Sequence, residues 1–169
     1  LSLDMASLVR DGLLFLWVTG RVADLARECM ERWGFRLVDE IVWVKTAQLQ
    51  RVVRGRRTGH WLNHAKEHCL VGVRGCPRVQ RLRDTNVIVS GVRDTSRKPD
   101  ELYTIVERLM PHARKLELFG RPHNCRPGWL TLGNQLPAPP HIVDRCVLEA
   151  AQHKYGGIEH VPGLLSADE

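Results

Sequence analysis

The sequence has no long apolar run, no closely spaced cysteines and no secretory signal pattern. None of its apolar runs approaches the roughly 20 residues that a helix needs to cross a bilayer, and its amino terminus has no charged-then-apolar signal. The five cysteines show neither CxxC metal spacing nor close pairing: they are Cys29, Cys69, Cys76, Cys125 and Cys146. We therefore expect a protein of a reducing compartment with no membrane partner.

Acidic residues are missing from one stretch, between positions 46 and 66. The chain has 169 residues, a net charge of +6 and a pI near 9.4. Six basic residues in or beside that stretch equal the whole surplus: Lys45, Arg51, Arg54, Arg56, Arg57 and Lys66. The basic character is therefore local. It predicts a basic loop over residues 46–68 that permits a polyanionic partner such as nucleic acid.

The apolar pattern predicts an α/β fold in a single domain. Short apolar runs alternate with stretches whose apolar residues recur every three or four positions, which indicates strands alternating with helices. We expect Leu13–Val18 to be a strand buried on both faces, as in parallel sheets. The other predicted strands are 41–44, 69–73, 87–89, 116–119 and 129–132, and the predicted helices are 22–33, 99–109 and 143–154.

A dense group of polar side chains follows the last two predicted strands. It consists of Arg121, His123, Asn124, Asn134 and Gln135. Polar residues just past the carboxyl ends of strands lie where α/β folds bind ligands, and amides can bridge the paired hydroxyls of a ribose. Gly120 would let the backbone approach such a ligand. Each amide taken singly could instead cap a turn.

Several ungapped stretches resemble one known family. FLWVTGR, RTGHWLNHAKEHCLVGV, LELFGRPHN and GNQ are similar to the eukaryotic mRNA N6-adenosine methyltransferases, the m6A writers, over residues 11 to 135. The sequence resembles their catalytic subunit, in the C-terminal part of its methyltransferase domain, more than their degenerate RNA-binding subunit. The resemblance implies a Rossmann-like class I methyltransferase sandwich with permuted topology.

The resemblance also implies a reaction and a cofactor. The reaction is transfer of a methyl group from S-adenosylmethionine to N6 of adenosine in mRNA, in the nucleus, by a heterodimer with the degenerate homologous subunit. Lys98, His123 and Asn124 would hold the methionine end of the cofactor. Arg121, Asn134 and Gln135 would hold the ribose, and Leu118 and Phe119 would line the site. Lys98 also precedes a predicted helix, whose amino terminus favours anions.

Two further groups of residues are implied for RNA. Trp43, Lys45 and Glu67 correspond to the adenosine pocket, although they could equally be a packed aromatic, a strand-end lysine and a surface acid. The basic loop corresponds to the interface loop, which packs on the partner subunit and borders an RNA groove. Its candidate binding residues are Arg51, Arg54, Arg56, Arg57 and Trp61; the alternative is a loop whose charges serve only solubility.

The sequence departs from the family at the catalytic motif. Asp-Pro-Pro-Trp is absent from the 169 residues, and the chain opens at Leu1 rather than Met, so we expect a partial domain, incomplete at its amino terminus. The adenine amine is a poor nucleophile that needs an acceptor for its protons. We therefore expect the chain alone to be inactive. The alternative is a catalytically inactive family member that binds RNA or serves as a scaffold.

A metal site is a second alternative. His60, His64 and His68 recur every four residues and would share one face of a helix. The sequence has no HExxH arrangement and no cysteine pair, and Gly59 disfavours a long helix there. We therefore predict no metal site.

Overall fold

The computed structural model describes residues 3–53, 61–80, 84–136 and 141–142. The chain divides into two compact units, Leu1–Pro111 and His112–Glu169. In the described ranges, no helix combines the length and the apolar character that a membrane span requires.

The first unit is built on a mixed four-stranded sheet. Its strands are β1 (Gly12–Val18), β2 (Arg36–Thr46), β3 (Lys66–Arg74) and β4 (Val87–Gly91). Their order across the sheet is β1-β3-β2-β4. β3 pairs antiparallel with both β1 and β2, whereas β2 and β4 are parallel. The central strands β2 and β3 carry the most buried part of the core, including Trp43, Cys69 and Leu70.

Three helices accompany this sheet: α1 (Met5–Leu8), α2 (Ala23–Arg32) and α3 (Asp100–Leu109). α2 follows a 3₁₀ turn at Gly20–Val22 and buries Ala26, Cys29 and Met30. Met30 packs over Gly72 of β3, where a side chain of any size would overlap it. α3 begins directly after Pro99, with Asp100 and Glu101 in its first turn, as the helix dipole favours.

The second unit contains a small sheet in which β5 (Lys115–Leu118) lies parallel to β6 (Trp129–Leu132), and β6 pairs antiparallel with β7 (His141–Ile142). The chain segments that leave β5 and β6 stay in close contact. The Gly120 amide donates to the Leu132 carbonyl at 2.9 Å, and a Cβ on Gly133 would overlap the Gly120 carbonyl. Glycine at 133 therefore lets the two strand ends approach each other.

The α/β fold class is confirmed, and most predicted elements occur close to their expected bounds. β2 is longer than predicted: it begins at Arg36, and its first half is mostly exposed to solvent and pairs only with β3. The expected parallel, doubly buried environment of residues 13–18 is wrong: β1 is an edge strand of this sheet, it pairs antiparallel, and its interior residues are only half buried.

Two other predictions concern the connecting segments. Thr46 belongs to β2 and residues 66–68 belong to β3, so the connecting segment is shorter than the predicted loop over 46–68. The predicted last helix, 143–154, lies outside the described residues. The single-domain assignment stays a prediction.

We predict that Gly133→Ala destabilises the protein, because the new methyl group meets the Gly120 carbonyl. Overpacking of this kind costs about 1–3 kcal/mol of unfolding free energy. Chemical denaturation followed by circular dichroism measures it. Gly20→Ala is the matched control, since nothing lies within 4 Å of its added methyl group. Equal stability of the two variants would contradict the close approach at Gly133.

Candidate functional site

Strand register places three of the site side chains on one face of the first sheet. Trp43 of β2 lies directly opposite Glu67 of β3, and Trp17 of β1 lies opposite Cys69, two residues further along β3. Residues directly opposite each other, and residues two apart on one strand, point to the same face. Trp17, Trp43 and Glu67 therefore share a face across three neighbouring strands.

Glu67 binds two lysines at once. Lys45 donates to Glu67 Oε1 at 2.5 Å, and Lys98 donates to Oε2 at 2.6 Å. The three side chains have between 21% and 24% of their surface exposed. With two ammonium groups and one carboxylate, this largely desolvated cluster has a net charge of one positive unit. The net positive charge favours an anion as ligand.

The two lysines also contact aromatic rings. Lys45 Nζ lies 4.9 Å from the ring centroid of Trp43, and Lys98 Nζ lies 5.4 Å from that of Trp17. Both distances are within the range of cation–π attraction. The rings contact each other edge to face, with centroids 6.4 Å apart. We call these five residues, Trp17, Trp43, Lys45, Glu67 and Lys98, the lysine–tryptophan cluster.

The charges in this cluster determine the protonation of Glu67. Burial alone would raise the pKa of its carboxyl group, but hydrogen bonds from Lys45 and Lys98, together with their charges, outweigh burial and lower the pKa. Glu67 is therefore ionised at neutral pH and is a weak proton acceptor.

The cluster decides between the local alternatives for three predicted pocket residues. Glu67 is not a simple surface acid and Lys45 is not a freely solvated lysine, because each is bound and about three-quarters buried. Trp43 is a packed strand aromatic: it is 2% exposed, and its Nε1 donates to the Ser90 carbonyl at 3.2 Å. In this conformation Trp43 shapes the site through Lys45 and Trp17. A role for the three residues in an adenosine pocket stays a prediction.

The segment that carries Lys98 is attached to the start of α3. Arg97 binds Asp100 at 3.1 Å and Arg93 lies 3.6 Å from Glu101. Lys98 thus lies just before a helix amino terminus, as expected, but its ammonium group is already bound by Glu67. Sequence reasoning missed Trp17, Arg93 and Arg97. The three-residue spacing of Arg97 and Asp100 could have indicated their pair, whereas nothing marks Trp17 within an apolar strand.

The second unit gathers the other predicted cofactor residues at the carboxyl ends of two adjacent parallel strands. β5 ends at Leu118 and β6 ends at Leu132. Phe119 follows β5 with a left-handed backbone (φ 61°) and an exposed ring. The remaining polar candidates follow the same two ends: Arg121, His123, Asn124, Asn134 and Gln135. The predicted placement is confirmed, and the ligand contacts stay predictions.

Two of these side chains are informative in detail. The Asn124 amide oxygen accepts from the Arg121 backbone N–H at 2.8 Å, so Asn124 does cap the 3₁₀ turn Pro122–Asn124. His123 Nε2 is buried and has no hydrogen-bond partner among the described residues. A buried polar atom without a partner is costly. It therefore fits a polar ligand such as the amine or carboxylate of a cofactor.

The basic segment is described only at its two ends. Arg51 and Trp61 are both exposed, with Trp61 at 89%. Arg54, Arg56 and Arg57 lie outside the described residues. An RNA or partner role for all five stays a prediction.

The helical metal-site alternative is contradicted. His64 precedes β3 in a non-helical segment, His68 is within β3, and His68 Nδ1 pairs with the Glu40 carboxylate. His60 lies outside the described residues. In the described ranges, no three His, Cys, Asp or Glu side chains are grouped as metal ligands.

Comparison with known proteins decides the family. The MT-A70 family model matches residues 1–135, most of the chain. The chain belongs to the MT-A70 family. Its similarity to an Arabidopsis thaliana protein named N(6)-adenosine-methyltransferase MT-A70-like reaches 65% identity over 135 residues, which cover 80% of this chain and 20% of the relative.

Animal members of the MT-A70 family are also similar. The human N(6)-adenosine-methyltransferase catalytic subunit METTL3 is 57% identical over 154 residues, covering 90% of this chain and 26% of the relative. The Drosophila melanogaster N(6)-adenosine-methyltransferase non-catalytic subunit METTL14 is 32% identical over 155 residues, which cover 80% of this chain and 37% of the relative. The chain therefore resembles the catalytic subunit more, as its motifs indicated. It spans a fifth of the length of the Arabidopsis relative and about a quarter of that of human METTL3.

We predict that Glu67→Gln destabilises the protein at neutral pH by about 1–3 kcal/mol, because two partly buried lysines lose their shared counter-charge. The pKa of Glu67 is lowered in the folded state, so its contribution is complete above the unfolded pKa and is lost as pH falls through the folded one. The stability difference between wild type and variant should therefore be constant from pH 7 to about 5 and shrink below about 4.

Urea unfolding at several pH values measures this difference, with Glu31→Gln on the exposed surface of α2 as the matched control. A Glu67→Gln variant as stable as wild type at pH 7 would show that the two ion pairs contribute nothing.

Proposed function

We propose that the protein containing this chain transfers a methyl group from S-adenosylmethionine to N6 of adenosine in mRNA. Membership of the MT-A70 family supports a methyltransferase, and the matched plant and animal relatives are named N(6)-adenosine-methyltransferases. The observation that carries the cofactor proposal is the polar set at the adjacent carboxyl ends of β5 and β6. In α/β proteins this is the position of the ligand crevice.

In each unit, taken by itself, some residues have the chemistry to bind one part of S-adenosylmethionine. The surplus positive charge of the lysine–tryptophan cluster suits the carboxylate of its methionine end, with Lys98 as the direct ligand. In the second unit, the buried His123 Nε2, which has no partner among the described residues, offers a polar contact of its own. Exposed amides on Asn134 and Gln135, with Arg121, suit the ribose hydroxyls. When bound, the cofactor supplies an electrophilic methyl group.

The described residues of the lysine–tryptophan cluster supply no proton acceptor for the adenine amine. Its single carboxylate, Glu67, already accepts from two lysines and has a lowered pKa. A general base works best with a pKa near the operating pH. We propose that the proton acceptor comes from an Asp-Pro-Pro-Trp motif outside these 169 residues. The residues of this chain would then bind and position the cofactor, and the complete protein would catalyse methyl transfer.

We further propose that the protein works in the nucleus as a heterodimer with a homologous subunit. A fly relative named as a non-catalytic subunit is 32% identical to the chain. An apolar surface on the sheet supports such a partner. Val42 and Val44 of β2 lie directly opposite Val87 and Val89 of β4, and the β4 pair is 46% and 58% exposed. Parallel strands are normally covered on both faces, and exposed apolar patches mark interaction sites.

The same proposal assigns RNA to the basic segment. Arg51 and the exposed ring of Trp61 offer a cation and a stacking surface, the two features with which proteins hold single-stranded RNA. Binding through phosphates weakens steeply as salt is added.

We predict that Lys98→Met weakens S-adenosylmethionine binding by about tenfold to a hundredfold in the complete protein, because one charge-assisted hydrogen bond to the carboxylate is lost. Isothermal titration calorimetry measures the dissociation constant. Lys66→Met is the matched control: this lysine is the exposed first residue of β3 and lies on the opposite face from Glu67. No heat on titrating the cofactor into wild type would refute the proposed function and favour an inactive RNA-binding or scaffold subunit.

We predict that the complete protein with its partner subunit methylates an adenosine-containing RNA, whereas residues 1–169 alone do not, because their sequence lacks the Asp-Pro-Pro-Trp motif that we propose as the proton acceptor. Transfer of tritiated methyl groups to RNA, with the product nucleoside identified by mass spectrometry, measures both. Robust methylation by residues 1–169 alone would overturn the assignment of the acceptor to a missing motif.

A further inference from the structure

Trp17 is a member of the lysine–tryptophan cluster to which the proposed function gives no part. Its ring lies 5.4 Å from the Lys98 ammonium, close enough for cation–π attraction. Lys98 lies on the segment between β4 and α3, whereas Trp17 lies within a strand. The contact therefore joins a side chain on a loop to the sheet.

The orientation of the Trp17 ring is itself fixed by the sheet. Trp17 meets Trp43 edge to face, at an interplanar angle of 76°. Trp43 is 2% exposed and is held by its hydrogen bond to the Ser90 carbonyl on β4. Three strands thus contribute to holding one lysine of a loop: β4 through the carbonyl, β2 through Trp43 and β1 through Trp17.

An aromatic ring holds a cation differently from a carboxylate. A second acid next to Lys98 would cancel the surplus positive charge of the cluster, which now has two ammonium groups and one carboxylate. A ring is neutral, so it attracts and orients the ammonium group without neutralising it. Lys98 is therefore kept in place while the site retains its attraction for an anion.

We propose that Trp17 is a positioning residue for cofactor binding, which holds the Lys98 ammonium group where it can meet the carboxylate of S-adenosylmethionine. The inference rests on the proposed function, in which Lys98 binds that carboxylate. Trp17 acts through Lys98 and does not itself touch the cofactor. Replacing its ring should therefore weaken cofactor binding without slowing the chemical step.

A double-mutant cycle in the complete protein tests this coupling. The variants are Trp17→Leu, Trp17→Phe, Lys98→Met and Trp17→Leu combined with Lys98→Met. Calorimetry gives the dissociation constant of S-adenosylmethionine, and methylation kinetics give kcat and the KM for the cofactor. Phe15→Leu is the matched control, because Phe15 lies two residues earlier on the same strand and the same face.

We expect Trp17→Leu to raise the dissociation constant and the KM by about 3- to 30-fold, the range of a partly buried cation–π contact, with kcat unchanged. Trp17→Phe, which keeps a ring, should lose less than Trp17→Leu, and Phe15→Leu should bind the cofactor as wild type does. In the Lys98→Met background, Trp17→Leu should have no further effect, because the cation that it orients is already gone.

Two results would overturn the inference while leaving the proposed function intact. One is a Trp17→Leu variant that binds the cofactor as tightly as wild type. The other is an equal loss from Trp17→Leu with and without Lys98, which is the additivity expected of a purely structural role. If Trp17→Leu does not fold, Trp17→Phe takes its place in the cycle. Failure of wild type to bind the cofactor would instead overturn the proposed function, and this inference with it.

Discussion

The lysine–tryptophan cluster depends on one carboxylate with two ammonium partners. Glu67 lies on the strand between β1 and β2, and its two oxygens reach a lysine from the neighbouring strand and a lysine from the segment before α3. Without that carboxylate, Lys45 and Lys98 would repel each other in a partly desolvated space. Glu67 therefore holds both lysines in place and determines the net charge that the cluster presents to a ligand.

Much of the fold could be predicted from the sequence, because its strands are short apolar runs and its helices have a clear apolar stripe. The Trp129–Leu132 strand and the start of α3 after Pro99 were recovered almost to the residue. The first half of β2 was not, since residues 36–39 are exposed there and apolar periodicity reports burial rather than backbone pairing. The edge position of β1 was missed for a similar reason: an apolar strand indicates what it packs against, not which strands flank it.

The site could be predicted only in part. Residues at strand ends can be found from the sequence, whereas residues brought together by strand register cannot. Residues after β5 and β6 were found because a strand end is visible in sequence, and the parallel pairing of the two strands brings them to one edge. The partnership of Lys45, Glu67 and Lys98 spans more than 50 positions and depends on the register between strands, which periodicity does not encode. The family resemblance implied roles for Lys45, Glu67 and Lys98. It did not indicate that Glu67 binds both lysines or that the Trp17 ring contacts Lys98.

The valine pairs on β2 and β4 have a consequence for the protein inside the cell. Val87 and Val89 present branched apolar side chains to water on a strand at the edge of its sheet, and such a strand is a template for pairing with other chains. A chain in which nothing covers this surface would be prone to aggregate and would be recognised by chaperones and proteases. If the proposed partner subunit covers these valines, the steady-state amount of the protein would follow the supply of that subunit without any change in transcription.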